Sequence, residues 1–274
     1  MPRKLILILV CLCLPALAQA ADNPFAPKLP FATAEIKYQL KGNEAGTAVL
    51  YVDGQRSARV VDTALTMMGG KHPKKSITIT LPDKVIEVDL ITRTAKATGN
   101  MNTYLAQEYE KLSAAEKAAV QKNAEKLGSS MGHAFAGAPP QITQGAFKGK
   151  PVDIATVAGF TSYTWKGAGI VLKTQGSMMG MKIDEEAVSI ETGVPVKSQV
   201  FEVPAGIAVS FDQEDDQIQR QMAKATLDLL KDPQFESKLK QGGPGMMVPG
   251  MGAPDQEEEE DEPPAPLRPP APRR

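Results

Sequence analysis

Three sets of side chains in this sequence have the makings of a reactive or ligand-binding site. Gly128-Ser129-Ser130-Met131-Gly132 fits the G-x-S-x-G pattern of a serine nucleophile, and His133 follows directly as a potential base. That chemistry needs a buried strand before the serine and a helix after it. Here an alanine-rich helical stretch precedes and a Gly/Ala/Pro-rich stretch follows, so the segment reads as a helix stop and a loop. Methionines form a second group, with Met178, Met179 and Met181 in one cluster and Met246, Met247 and Met251 in another. Thioethers select Cu(I), but methionine also fills adaptable apolar surfaces, the reading that suits Met67 and Met68. The third group, Lys71-His72-Pro73-Lys74-Lys75, has the charge to meet an anionic headgroup, but between two strands it reads as a solvated hairpin turn. His72 and His133 share no metal-ligand spacing, and the chain has no HExxH, CxxC, phosphate loop or dinucleotide fingerprint. The sequence therefore points to no catalytic residue, no metal site and no cofactor.

What remains is a question of architecture and address. Arg3-Lys4 leads into the apolar stretch Leu5 to Leu14, too short to span a bilayer, and Ala18-Gln19-Ala20 offers small residues for cleavage. Residues 1–20 are expected to be a signal peptide cut between Ala20 and Ala21, leaving no transmembrane anchor. Cys11 and Cys13 follow Val10 and Leu12 rather than small residues, which argues against lipidation. Both cysteines leave with the leader, so the exported chain is expected to lack disulfides and to rest on core burial. With 31 basic and 32 acidic residues the charge is nearly balanced, which gives no reason to expect nucleic acid as a partner.

After a linker at 21–33, a sheet domain is expected over 34–210. Ile36, Tyr38 and Leu40 alternate with Lys37 and Gln39, Thr47 to Val52 is apolar on both sides, and Asp53-Gly54 is a hairpin signal. Ser76 to Leu81 and Val85 to Leu90 alternate likewise, making an antiparallel meander. The period changes after Asn102, so a helical insert is expected over 103–128, with Ser113-Ala114-Ala115-Glu116 as a capping box. Short strands are predicted again at Val152 to Val157, Ser162 to Trp165, Gly169 to Thr174, Met181 to Asp184, Ala187 to Glu191 and Gln199 to Val203. Asp212 is placed to cap a C-terminal helical segment at 211–240, interrupted at Asp232-Pro233. The tail at 241–274 is Gly, Met and Pro, then acidic, then Pro and Arg, and is expected to be disordered. The fold class predicted is α+β: a curved antiparallel sheet, or half-open β-barrel, covered by helices.

Three segments, "LPDKVIEVDLITRTA" at 81–95, "WKGAGIVLKTQ" at 165–175 and "QVFEVPAGI" at 199–207, resemble a little-characterised family of bacterial periplasmic proteins related to the lipoprotein carrier (LolA-like) group. Val88, Asp89 and Leu90 fall on that family's mid-sheet strand, and Phe201, Val203, Pro204 and Gly206 on its closing strand and turn. The resemblance implies a half-barrel whose apolar concave face shelters acyl chains. Many relatives carry a cysteine after the glycine matching Gly159. Here Phe160 stands in that place, so no disulfide is inherited. The function expected is an exported, periplasmic, non-catalytic protein that binds or carries a lipid or acyl chain, with Ile36, Tyr38, Leu40, Ile86 and Val88 lining the concave face. The alternative is an envelope scaffold that meets a protein partner through its C-terminal tail.

Overall fold

The structure, a computed structural model, describes residues 23–25, 29–67, 69–127, 141–157, 159–178, 181–235 and 237. Residues 1–20, expected to be a signal peptide, Ser130 with His133, Met68, Met179, the Met246, Met247 and Met251 cluster and the tail at 241–274 lie outside the described residues, as do the side chains of Met67, Met178 and Met181.

The alternating segments form β1 (Thr33–Gly42), β2 (Glu44–Asp53), β3 (Arg56–Met67), β4 (Gly70–Thr80), β5 (Lys84–Asp89) and β6 (Thr94–Gly99). Two helices follow, α1 (Met101–Glu110) and α2 (Ala114–Leu127), then β7 (Gln141–Phe147), β8 (Lys150–Val157), β9 (Phe160–Trp165), β10 (Ile170–Met178) and β11 (Met181–Thr192). A short strand, β12 (Val209–Phe211), precedes α3 (Gln213–Leu230). The described strands make one sheet in the order β12-β6-β5-β4-β3-β2-β1-β11-β10-β9-β8-β7. All neighbours are antiparallel except the pair β12 and β6. The sheet is curved and unclosed, so the class expected from the sequence, an α+β half-barrel with a C-terminal helix, is the one found.

Turn chemistry sets the strand lengths. The β2 to β3 hairpin turns on Gly54, at φ 59°, and Asp53 and Arg56 close it with an ion pair. Gly42, at φ 106°, passes so close to β11 that a Cβ would lie 2.4 Å from the Lys182 carbonyl oxygen, which excludes any side chain there.

Several details differ from the sequence expectation, among them β7 and β12, which are not expected as strands. Lys71 to Lys75 is not a turn but part of β4, with Lys71 opposite Thr66 and Lys75 opposite Asp62. β5 pairs only with Ser76 to Thr80, so Pro73 has one open side, where its missing N–H costs no ladder bond. The stretches around Met181 and Ala187 are one strand, β11, in which a register shift at Val188 absorbs the change of pattern. Gln199 to Val203 is a 3-10 turn over Ser198–Phe201 rather than a strand: Phe201 buries itself against the sheet, and the Arg56 guanidinium lies 4.7 Å from its ring centre.

Cross-strand register assigns the faces. Ile36, Leu50, Arg59, Thr78, Glu87 and Lys96 are successive partners from β1 to β6 and share one face, here called inner. Glu35, Tyr51, Ala58, Ile79, Ile86 and Ala97 form the adjacent row and share the other. An inner cluster joins Ile36, Tyr38, Leu40, Ala48 and Val61 to Val152, Trp165, Leu172 and Ala187 of the later strands. An outer cluster holds Ala58, Ile79, Ile86, Val88, Ala95 and Ala97 under Phe201 and neighbours Val196, Val200, Val203 and Ile207. The covered apolar side of the sheet thus switches from inner at β1 to outer at β5.

The helices form a third core of Phe25, Tyr104, Leu105, Tyr109, Val120, Ala223, Leu227, Leu230 and Phe235. Their starts are capped as the sequence predicts: Ser113 and Glu116 exchange the two bonds of a capping box, and Asp212 accepts from the Asp215 N–H. Asp216 then ties the helices to the sheet, accepting from the Gly99 N–H at 2.7 Å, the Tyr104 hydroxyl at 2.5 Å and Arg220 Nε at 2.9 Å.

Candidate functional site: a cavity under the first helix

α1 starts as soon as β6 ends, because Asn100 caps it by accepting from the Asn102 N–H. Asn100 Nδ2 also donates to the Leu81 carbonyl at 2.8 Å, and the Thr103 hydroxyl donates to the Pro82 carbonyl. These bonds pin the helix to the β4 to β5 turn, so that it crosses the ends of the strands instead of settling into the hollow of the sheet. A cavity of about 570 Å³ remains between them. Its apolar wall comes from Leu50 and Val52 on the inner face of β2, Ala106 on α1, Ile170 at the start of β10, and Phe25 and Leu29 before β1. Such a volume and lining suit a small apolar ligand, whose sites span roughly 300–1,000 Å³. The mouth is polar: Asn23 and Lys117 both donate to the Glu110 carboxylate, and chiefly the Lys117 bond holds that group below its usual range.

A second hollow of about 470 Å³ adjoins the first and shares Leu50, Gly169 and Ile170 with it. Arg59 and Glu185 meet there at 2.6 Å, and Arg59 lies 5.0 Å from the centre of the Tyr38 ring. The Tyr38 hydroxyl donates to the Val171 carbonyl at 2.9 Å. Burial pushes that hydroxyl far above its ordinary pKa, with Arg59 opposing only in part, so Tyr38 stays a neutral donor. A third, more polar hollow of about 530 Å³ touches the second through Arg59.

The five residues expected to line the concave face do not act together. Ile36, Tyr38 and Leu40 lie in the inner cluster, whereas Ile86 and Val88 lie in the outer one, on the opposite face of the sheet. All five are buried in side-chain packing, and none lines the cavity under α1. Tyr38 borders the second hollow and Val88 the third. The lining falls instead to Leu50, Val52, Ala106 and Ile170. Leu50 and Val52 belong to the segment that the sequence shows to be apolar on both sides, which was the available signal. Among the described residues no group of three His, Cys, Asp or Glu side chains is placed to hold a metal ion, and no helix is long and apolar enough to cross a membrane.

No protein-family model matches the chain, and no curated protein sequence matches it. Among solved structures it is similar to an uncharacterised conserved protein from Thermus thermophilus, at 10% identity and a TM-score of 0.40, over 71% of this chain and 99% of that one. It is also similar to PNGF-II, at 14% identity and a TM-score of 0.33, over 70% of this chain and 33% of that one. MucB is a third, at 11% identity and a TM-score of 0.29, over 69% of this chain and 63% of that one.

Proposed function

We propose that this protein is an exported, non-catalytic binding protein that holds a lipid or a single acyl chain in the cavity under α1. The observation that carries this reading is the cavity itself: about 570 Å³, walled in part by Leu50, Val52, Ala106 and Ile170, beside two clusters of packed side chains. Burying apolar surface there is worth roughly 25 cal/mol per Å², so each methylene of a chain adds to affinity without any chemistry. The half-open sheet under helices agrees with what the resemblance to the lipoprotein carrier group implies. The export part rests on Arg3-Lys4, the apolar stretch to Leu14 and the cleavage-like Ala18-Gln19-Ala20. The scaffold alternative depends on the tail at 241–274, which lies outside the described residues.

The test is to express the full chain with its leader in a bacterial host, purify it from the periplasmic fraction, and extract it with chloroform and methanol. Mass spectrometry is expected to find a lipid in stoichiometric amount. A lipid-free protein that also fails to enhance the fluorescence of N-phenyl-1-naphthylamine would sink the proposal.

A further inference from the structure

The cavity under α1 does not end in apolar wall. Leu50, part of its lining, pairs with Arg59 across the β2 to β3 ladder, so the inner face changes from hydrocarbon to guanidinium within one strand step. Arg59 borders both the second and the third hollows, so the three adjoin in series, from the mainly apolar surface under α1 to the charged neck. An amphiphile fits this profile better than a pure hydrocarbon does.

At the neck beside Arg59 the charge is balanced. Arg59 is matched by Glu185, the two side chains being only 31% and 23% exposed. Further along the inner face Lys74 is matched by Glu44 and Lys96 by Asp212. An anionic head at the neck would lie against Glu185, and a cationic one against Arg59. Either would have to break a half-buried pair and leave one member uncompensated, which is costly. A hydroxyl can accept from the guanidinium, which has five N–H donors and gives its Nη2 to Glu185, while donating to the carboxylate. The Thr174 side chain, opposite Glu185 in the β10 to β11 pair, adds a further donor and acceptor at the same place.

We propose that the ligand is a single-chain amphiphile with an uncharged, hydroxyl-bearing head, its chain under α1 and its head at the Arg59 and Glu185 neck. This deepens the acyl-chain reading and rests on it.

Displacement of N-phenyl-1-naphthylamine from the full chain, at amphiphile concentrations below micelle formation, compares three ligands of one chain length: 1-monolauroylglycerol, laurate and dodecylammonium. The wild type is expected to bind the glyceride about tenfold more tightly than either ion, as a site with balanced charge should. Glu185→Gln frees Arg59 and should move the preference to laurate. Arg59→Gln frees Glu185 and should move it to dodecylammonium. The exchanged pair, Arg59→Glu with Glu185→Arg, should restore the wild-type order and guards against a variant that merely misfolds. A wild type that prefers either ion, or single variants that change all three affinities alike, overturns the head-group assignment while leaving the acyl-chain reading in place. If neither the fluorescent probe nor any of the three binds, both fail.

Discussion

Tyr104 on α1 and Asp216 on α3 stand 112 residues apart in the chain and meet at 2.5 Å, the phenol donating to the carboxylate. Together with the Gly99 N–H this contact fixes two helices to the end of β6, and so holds the roof of the cavity. There is no room for substitution beside it: a Cβ on Gly99 would lie 1.7 Å from the Tyr104 hydroxyl oxygen. Removing the hydroxyl with Tyr104→Phe is expected to cost about 1.5–3 kcal/mol, the range for a hydrogen bond to a charged group. Urea unfolding of the full chain measures it.

Asp216 also gives a pH dependence with a definite sign. Burial pushes its carboxyl up, but hydrogen bonds from Tyr104, Arg220 and the Gly99 N–H outweigh burial and hold it below the usual aspartate range. The group is therefore more acidic folded than unfolded. Its contribution to stability is fully present above the unfolded aspartate pKa of about 3.9 and is lost as pH falls through that value toward the folded one. Asp216→Asn should flatten the acid side of the stability profile. An unchanged slope between pH 5 and pH 3 would show that the carboxylate is not held in this way.

Tyr109 makes the opposite prediction. It is fully buried, packs edge-on to Phe25 with ring centres 5.9 Å apart, and lies under the Lys117 ammonium at 5.4 Å. Its hydroxyl has no hydrogen-bond partner among the described residues. Tyr109→Phe keeps the ring contacts and removes a buried polar atom, so it should be neutral or stabilising, within about 1 kcal/mol. The same unfolding experiment that finds a loss at Tyr104 should find none here.

Much of the fold was legible because most strands carry their own alternation, and α2 and α3 their own caps. Ser113 with Glu116, Asp212 with Asp215, and the hairpin at Gly54 are local signals that the structure keeps. The site was not legible, for a physical reason. Alternation says that Ile86 and Val88 share a face, but not which one. That depends on register with β4 and β6, where Ile86 meets Ile79 and Ala97 on the outer face while Ile36 meets Leu50 on the inner. Because Phe201 and its neighbours cover the outer face at β3 to β6, the apolar side changes along the sheet. No pattern within a single strand carries that information. Nor does any local signal show that α1 crosses the strand ends and leaves a space, since the bonds from Asn100 and Thr103 to Leu81 and Pro82 join residues about twenty apart.

Filling the space should separate binding from stability. Ala106 lines the cavity from α1 and is half-buried at the edge of the helical core, so Ala106→Phe would extend a ring into the open volume. Binding of N-phenyl-1-naphthylamine is expected to fall by about tenfold or more, while unfolding free energy changes by less than the ~1–3 kcal/mol typical of overpacking. A variant that binds the probe as the wild type does would mean that the probe sits elsewhere.

If hydrocarbon is buried under α1, affinity must follow the length of the ligand's chain. Dissociation constants of 1-monoacylglycerols from six to fourteen carbons should fall by about fourfold per added methylene, the ~0.8 kcal/mol of burying one CH₂, until the cavity is full, and then level off. Affinities that are absent, or that do not change with chain length, would contradict it.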